Sequence, residues 1–207
     1  MQAIAIAPQA YTSQAPLLDS MHKLRARVFR ERMNWDVDVS NGRERDQFDH
    51  CRPTYVLAIS DRNQVAGCAR LLPATGPTLL SILFPELVGS SLFKPHAAMI
   101  ESSRFCVDTS IGTSRAGEGL HGATWTMFAA IIEWSMANGY NELVTVTDIR
   151  IERILRRAGW PMARVGNPKP IGNTTAVVGL LPIDQVSFES VRPAGYTSSI
   201  KPFRRAA

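Results

Sequence analysis

Residues 54–72 read TYVLAISDRNQVAGCARLL, two apolar runs of strand length around the polar interval DRNQ. β-branched and aromatic residues suit a pleated, half-buried surface, and a short polar break between such runs predicts an antiparallel hairpin. That hairpin sets the frame: whatever the fold, it holds an antiparallel pair that other elements must cover.

The rest of the chain interleaves helices with further strands. AIAIA at the start predicts a short strand, and Leu17, Met21, Leu24 and Val28 recur at helical spacing across residues 15–33. PATGPTLLSILFPEL, bracketed by prolines, predicts a loop with a short helical piece, and AAMIESSRFCVD predicts another strand. A Gly/Ser-rich stretch, TSIGTSRAGEG, leads into a long helix over 120–137, which Gly139 can stop. ELVTVT predicts a strand, and Asp148 can cap the helix IRIERILRRAG. TTAVVGLLPI predicts a late strand, and an irregular tail is expected from about residue 191. Interleaving with one clear hairpin predicts an α/β domain with a mixed sheet covered by helices.

At 207 residues the chain suits a single domain spanning 1–207. No apolar run approaches the roughly 18 residues of a membrane span, and the N-terminus lacks a basic region followed by a long apolar core. Cys51, Cys68 and Cys106 are odd in number and widely spaced, which fits reduced thiols in the cytoplasm. The histidines form no ligand-spaced pair, so no metal site is expected. A net charge of +5 points to an acidic partner or ligand, either nucleic acid or an acidic protein.

Chemistry concentrates in WDVDVSNGRERDQFD, residues 35–49, where Glu44, Asp46 and Asp49 fall within six positions. A solvated loop would explain them; so would a site that holds a cation. Buried like charges raise one another's pKa and need counter-charges. Arg25 on the first helix, Arg70 in the hairpin and Arg104 beside Glu101 can supply them. In a regular strand Glu101, Ser103 and Phe105 share one face and Arg104 takes the other, so Glu101 and Arg104 point apart unless a bulge intervenes.

The segments RARVFRERMNWDVDVSNGRERDQFD, YVLAI, VAGCARLLPATGPTLL and ESSRFCVD closely resemble the bacterial acyl-homoserine-lactone synthases, which make quorum-sensing autoinducers. The likeness continues through IIEWSMANGYNELVTVTD, RILRRAGWP and IGNTTAVVG, covering nearly the whole chain. The charged signature of that family is present as Arg25, Glu44, Asp46, Asp49, Arg70, Glu101 and Arg104, and its aromatic positions as Phe29, Trp35 and Phe84. The resemblance implies an α/β/α sandwich related to the N-acetyltransferases. It also implies two substrates, S-adenosylmethionine and a fatty acyl thioester of acyl carrier protein, with no tightly bound cofactor. The amine of S-adenosylmethionine takes the acyl group; its carboxylate then closes on its own γ-carbon and expels methylthioadenosine.

On that resemblance Glu44, Asp46, Asp49, Arg70, Glu101 and Arg104 are the catalytic set, some of them locking geometry rather than touching substrate. Arg25, Phe29, Trp35, Asp46, Phe84 and Arg104 are expected to bind S-adenosylmethionine, carboxylates attracting its sulfonium and ammonium and aromatic faces its adenine. Attack on a thioester needs a neutral amine, and Glu101 is the candidate base, directly or through water. Strand N–H groups near Ser103 and Phe105 can stabilise the oxyanion, and Arg25 or Arg104 can hold the carboxylate. Ser103, Phe105 and Thr145 are expected along the acyl chain, and Thr145 matches a position where many members making 3-oxo products carry threonine. The exposed side of residues 150–157, Arg150, Arg153, Arg156 and Arg157, suits an acidic carrier protein.

Two alternatives stand beside this. One is an N-acyltransferase that uses acyl-coenzyme A on another amine, to which RAGEG before a helix has a faint similarity. The other is a non-catalytic nucleic-acid-binding protein, against which the acidic cluster argues by repulsion; no nucleic acid partner is expected.

Overall fold

A computed structural model describes residues 1–89, 93–111 and 121–201. The RAGEG stretch, residue 120 at the expected start of the long helix, and the last six residues lie outside them.

The chain opens with β1 (Gln2–Ile6) and α1 (Ala15–Arg25), which has a proline in its first turn, where a missing N–H costs nothing. Past Arg25 the helix widens into a π-helical segment, Ala26–Arg32, so the single helix suggested by spacing is two segments. Apolar residues three and four apart do not separate a 3.6-residue turn from a wider one. β2 (Val39–Ser40) and β3 (Arg43–Glu44) form a small hairpin closed by Asn41 and Gly42, both at positive φ as a two-residue turn demands. A 3-10 turn follows at Gln47–Cys51, then β4 (Thr54–Ile59) and β5 (Val65–Pro73), the hairpin read from sequence.

Next come α2 (Leu79–Leu83), β6 (Met99–Val107) and α3 (Gly122–Ala137). β7 (Glu142–Asp148) leads into α4 (Ile149–Arg157), capped as expected by the Asp148 side chain. β8 (Ala163–Arg164), β9 (Lys169–Ile171), β10 (Thr174–Pro182), α5 (Gln185–Val191) and β11 (Thr197–Ser198) complete the chain. The tail is therefore less irregular than sequence suggests: β11 pairs with β1, and Tyr196 and Ser198 both donate to the Glu133 carboxylate.

The main sheet runs β11-β1-β4-β5-β6-β7-β10-β8, with β9 also on β10. It is mixed: β6 and β7 are parallel, as are β1 and β11, and the other pairs are antiparallel. On one face Val56, Leu71, Ile100 and Leu143 pack against Met127, Phe128 and Ile131 of α3 and Leu155 of α4. On the other, α1 and the π-helical segment bury Met21, Leu24, Val28 and Phe29 against Tyr55, Leu57, Cys68 and Cys106. Beside them Leu80 of α2 and Leu87 cover Val144, Ala176 and Val178. The result is an α/β/α sandwich.

Two irregularities prepare the site. Among the described residues, β6 and β7 pair only from Met99–Glu142 to Ser102–Thr145, although both strands run on, so they part beyond Ser102. The second is a bulge between β5 and β6. Cys68 pairs with Cys106 but Arg70 with Ser103, so Ala69 faces two residues of β6, and Arg104 takes φ +53°.

Candidate active site

The bulge changes which side chains meet. Ser103 accepts from Arg70 Nε at 3.1 Å, and its neighbour Arg104 reaches the same cluster instead of the opposite face. Phe105 is the residue displaced: it stacks on Phe128 of α3, ring centres 5.3 Å apart. Regular alternation put Ser103 and Phe105 on one face; the extra residue separates them.

The three acids and three arginines close into a ring of alternating charge. Arg25 Nε binds Glu44 at 2.5 Å, and the other Glu44 oxygen accepts from Arg104 Nε at 3.0 Å. Arg104 also pairs with Asp46 at 2.7 Å, and Asp46 with Arg70. Arg70 reaches Asp49 at 3.1 Å, and Asp49 returns to Arg25 through two parallel bonds of 2.8 and 2.9 Å. Arg25, Arg70 and Glu44 are wholly buried. Taking so many ions out of water is costly, and removing one would leave its neighbours buried and unpaired. The cluster is thus neutral, not an acidic pocket awaiting a cation.

Local structure explains why the acids fall where they do. Asp46 caps the 3-10 turn, accepting from the Phe48 N–H at 2.9 Å, while Asp49 accepts from the Asp46 N–H at 2.9 Å. Both acids cap a turn and hold arginines at once. Burial alone would raise the Asp49 pKa, but hydrogen bonds and charge from Arg25, then Arg70, outweigh it and hold the carboxyl well below the usual range.

Arg70 Nη2 is buried without a hydrogen-bond partner among the described residues, while Asp46 Oδ2 is held by the Arg104 charge at 2.7 Å. Arg25 differs, since all three of its side-chain nitrogens are engaged by Glu44 and Asp49.

Aromatic rings border the cluster. Phe29 lies under the Arg104 guanidinium at 5.7 Å, and Trp35 stacks on Phe29 with ring centres 5.2 Å apart and planes 3° from parallel. Phe84 is elsewhere, packed with Phe48, Leu72, Leu79 and Val146. Glu101 also stands outside the ring and, among the described residues, makes no ion pair with an arginine. Its carboxylate accepts from the Leu79 and Leu80 N–H groups at 3.0 and 2.8 Å, at the start of α2. Burial pushes its pKa up, against the opposing pull of those N–H groups and the Thr78 hydroxyl. Thr145 donates to the Ser102 carbonyl at 2.8 Å where β6 and β7 begin to part. Arg150, Arg153, Arg156 and Arg157 are all exposed on α4, whose buried Glu152 instead holds Arg164.

Sequence reasoning missed three supports of the ring. Tyr55 donates to Asp49 at 2.7 Å, His22 Nδ1–H donates to the Glu44 carbonyl at 2.9 Å, and the Phe48 ring lies 5.3 Å from the Arg70 guanidinium carbon. The alternation of strand residues 55, 57 and 59 with Arg70 opposite Tyr55 was the available signal for the first. For the small hairpin, the Asn-Gly dipeptide was the signal. A cavity of about 680 Å³, lined by Arg52, Thr54, Trp134 and Tyr140, lies by the end of α3 and touches no member of the ring.

A family model described as autoinducer synthase matches residues 9–191. The chain is 55% identical to an acyl-homoserine-lactone synthase of Rhizobium radiobacter over 212 residues, covering 100% of both. Among solved structures, that of the AHL synthase LasI aligns at 34% identity with a TM-score of 0.74, over 87% of this chain and 91% of that one. The CoA-dependent acyl-homoserine lactone synthase BjaI, solved with SAM and isopentyl-CoA, has the same fold, with a TM-score of 0.83 at 22% identity over 97% and 94% of the two chains.

Proposed function

This chain belongs to the autoinducer synthases, acyltransferases that make acyl-homoserine-lactone signals for quorum sensing, and from that premise we propose that it joins S-adenosylmethionine to an acyl group delivered by acyl carrier protein. The observation that carries the substrate is the rim of the ring, where the Arg104 and Asp46 side chains keep 14% and 16% exposure while Arg25, Glu44 and Arg70 are wholly buried. An α-amino acid end presents an ammonium and a carboxylate together. The Asp46 carboxylate can accept from the first and the Arg104 guanidinium beside it can donate to the second. Phe29 and Trp35 supply flat faces beside Arg104 for the adenine or the sulfonium. Arg25 then acts through Glu44 and Asp49 and does not touch substrate.

Chemistry follows in two steps. The neutral amine attacks the thioester carbonyl, the carrier thiol leaves, and the amine proton passes to a base. Glu101, through water, fills that role in this reading, its raised pKa making it a stronger acceptor than an ordinary carboxylate. The opening between β6 and β7 beyond Ser102 gives the acyl chain a place against the sheet, with the unpaired edge of β6 near Ser103 available to the oxyanion. The substrate carboxylate then displaces methylthioadenosine from the γ-carbon. Positioning that carboxylate is most of the catalysis, because the sulfonium is already a good leaving group.

For the acyl group we keep a 3-oxo chain. Its ketone would take the Thr145 hydrogen bond from Ser102, an exchange of one bond for another, so the preference is expected to be a few-fold only. The exposed arginines of α4 support the carrier protein as donor, and three unbonded thiols fit the cytoplasm. Among the described residues no helix is long and apolar enough to cross a membrane.

The test is mass spectrometry of the purified protein with S-adenosylmethionine and matched panels of acyl carrier protein and acyl-coenzyme A thioesters. Equal amounts of an acyl-homoserine lactone and methylthioadenosine are expected, with carrier-protein donors preferred. Product from coenzyme A donors alone would reassign the donor. A Thr145→Val variant that leaves the 3-oxo to unsubstituted product ratio unchanged would remove Thr145 from chain selection.

A further inference from the structure

We propose that Asn173 is a positioning residue for S-adenosylmethionine, holding the Trp35 face in place from a hairpin at the β10 end of the sheet. Asn173 sits at the tip of the β9–β10 hairpin, in a two-residue turn whose first member, Gly172, takes φ +56°. Its side-chain amide donates to the carbonyls of Met33 at 2.9 Å and Asn34 at 3.3 Å, some 140 residues earlier in the chain. Both neighbours are acceptors, so only the N–H end of the amide can satisfy them.

The segment it grips is the exit of the π-helical turn. Asn34 takes φ +51°, and the next N–H, of Trp35, donates back to the Phe29 carbonyl at 2.8 Å. That reversal is what lays the indole flat on Phe29, which in turn faces Arg104 of the ring. Met33 and Trp35 are only half-buried and Asn34 is exposed, so packing alone fixes this turn weakly. A tie from a separate hairpin sets it. Asn173 is exposed and both of its side-chain hydrogen bonds go to the turn before Trp35, so its effect falls on one substrate.

The inference rests on S-adenosylmethionine being bound between the ring and Trp35. Two variants test it, Asn173→Ala and Asn173→Asp; the second keeps the shape but has no hydrogen to give and sets a carboxylate against two carbonyls. Steady-state kinetics would be measured with each substrate varied at saturating levels of the other. KM for S-adenosylmethionine is expected to rise about tenfold in both variants, the value of one to two ordinary hydrogen bonds. KM for the acyl donor and kcat should stay within twofold, and their retention shows that the variants are folded. Adding Asn173→Ala to Trp35→Ala should raise KM by less than twofold further, because the tie then has nothing to hold. Unchanged KM for S-adenosylmethionine in Asn173→Asp, or equal rises for both substrates, would overturn the inference. Wild-type protein that forms no lactone would instead overturn the functional reading.

Discussion

Asp49 receives hydrogen bonds from Arg25, Arg70, Tyr55 and the Asp46 N–H, whereas Glu101 receives them, among the described residues, from the Leu79 and Leu80 N–H groups and the Thr78 hydroxyl. The two carboxylates therefore shift in opposite directions. Asp49 has a folded pKa below its unfolded value of roughly 3.9, so its contribution to stability is present above that value and is lost as pH falls through the folded one. Urea midpoints should drop on acidification below about pH 4. In Asp49→Asn that acid dependence should flatten and stability at pH 7 should fall by about 3–5 kcal/mol, because Arg25 and Arg70 remain buried. Glu101 has a raised folded pKa, so its stabilising contribution is present at low pH and is lost as pH rises through that value. As a base it works only when ionised. The rate should climb with pH through a value above the usual carboxylate range, and that limb should vanish in Glu101→Gln. An unchanged limb in a variant with native melting behaviour would leave Glu101 as no more than the anchor of α2.

At the scale of elements, position depends on a few close approaches. Gly166, between β8 and β9, lies so near the 3-10 turn after α2 that an added Cβ would stand 2.1 Å from the Leu87 carbonyl oxygen. That neighbour is backbone and cannot swing aside. Gly166→Ala should displace Leu87 from its cluster and lower stability by about 1–3 kcal/mol, read as a lower thermal midpoint. The helices and strands themselves were largely legible: the hairpin of residues 54–72, the late strand and the capped α4 follow from alternation, spacing and Asp148. The bulge at Arg104 was not. A bulge is set by how one strand twists against its partner, and nothing in ESSRFCVD alone says which residue will be left unpaired.

For the whole molecule, charge is divided between interior and surface. Basic and acidic groups cancel inside the ring, while Arg150, Arg153, Arg156 and Arg157 remain open on α4, within a chain of net charge +5. If the carrier protein docks there, reversing Arg153 and Arg157 to glutamate should raise KM for acyl carrier protein donors at least tenfold at low salt and leave small coenzyme A donors nearly unaffected. The wild-type advantage should shrink as salt is added. Equal losses with both donors would move the docking surface elsewhere.

The amino-acid sequence by itself determined the elements, since propensity, spacing and caps are local. It also determined the chemistry on offer, because three acids and three arginines in one chain must find partners or stay in water. Only the tertiary structure decided that they close into a ring of alternating charge whose Arg104 and Asp46 side keeps some exposure. That outcome depends on α1, the 3-10 turn and two strands arriving together, and on a bulge that brings Arg104 to the side of Ser103. Contacts between residues far apart in the chain, such as Asn173 with Met33, leave no periodic trace in sequence, because no local rule links the two ends.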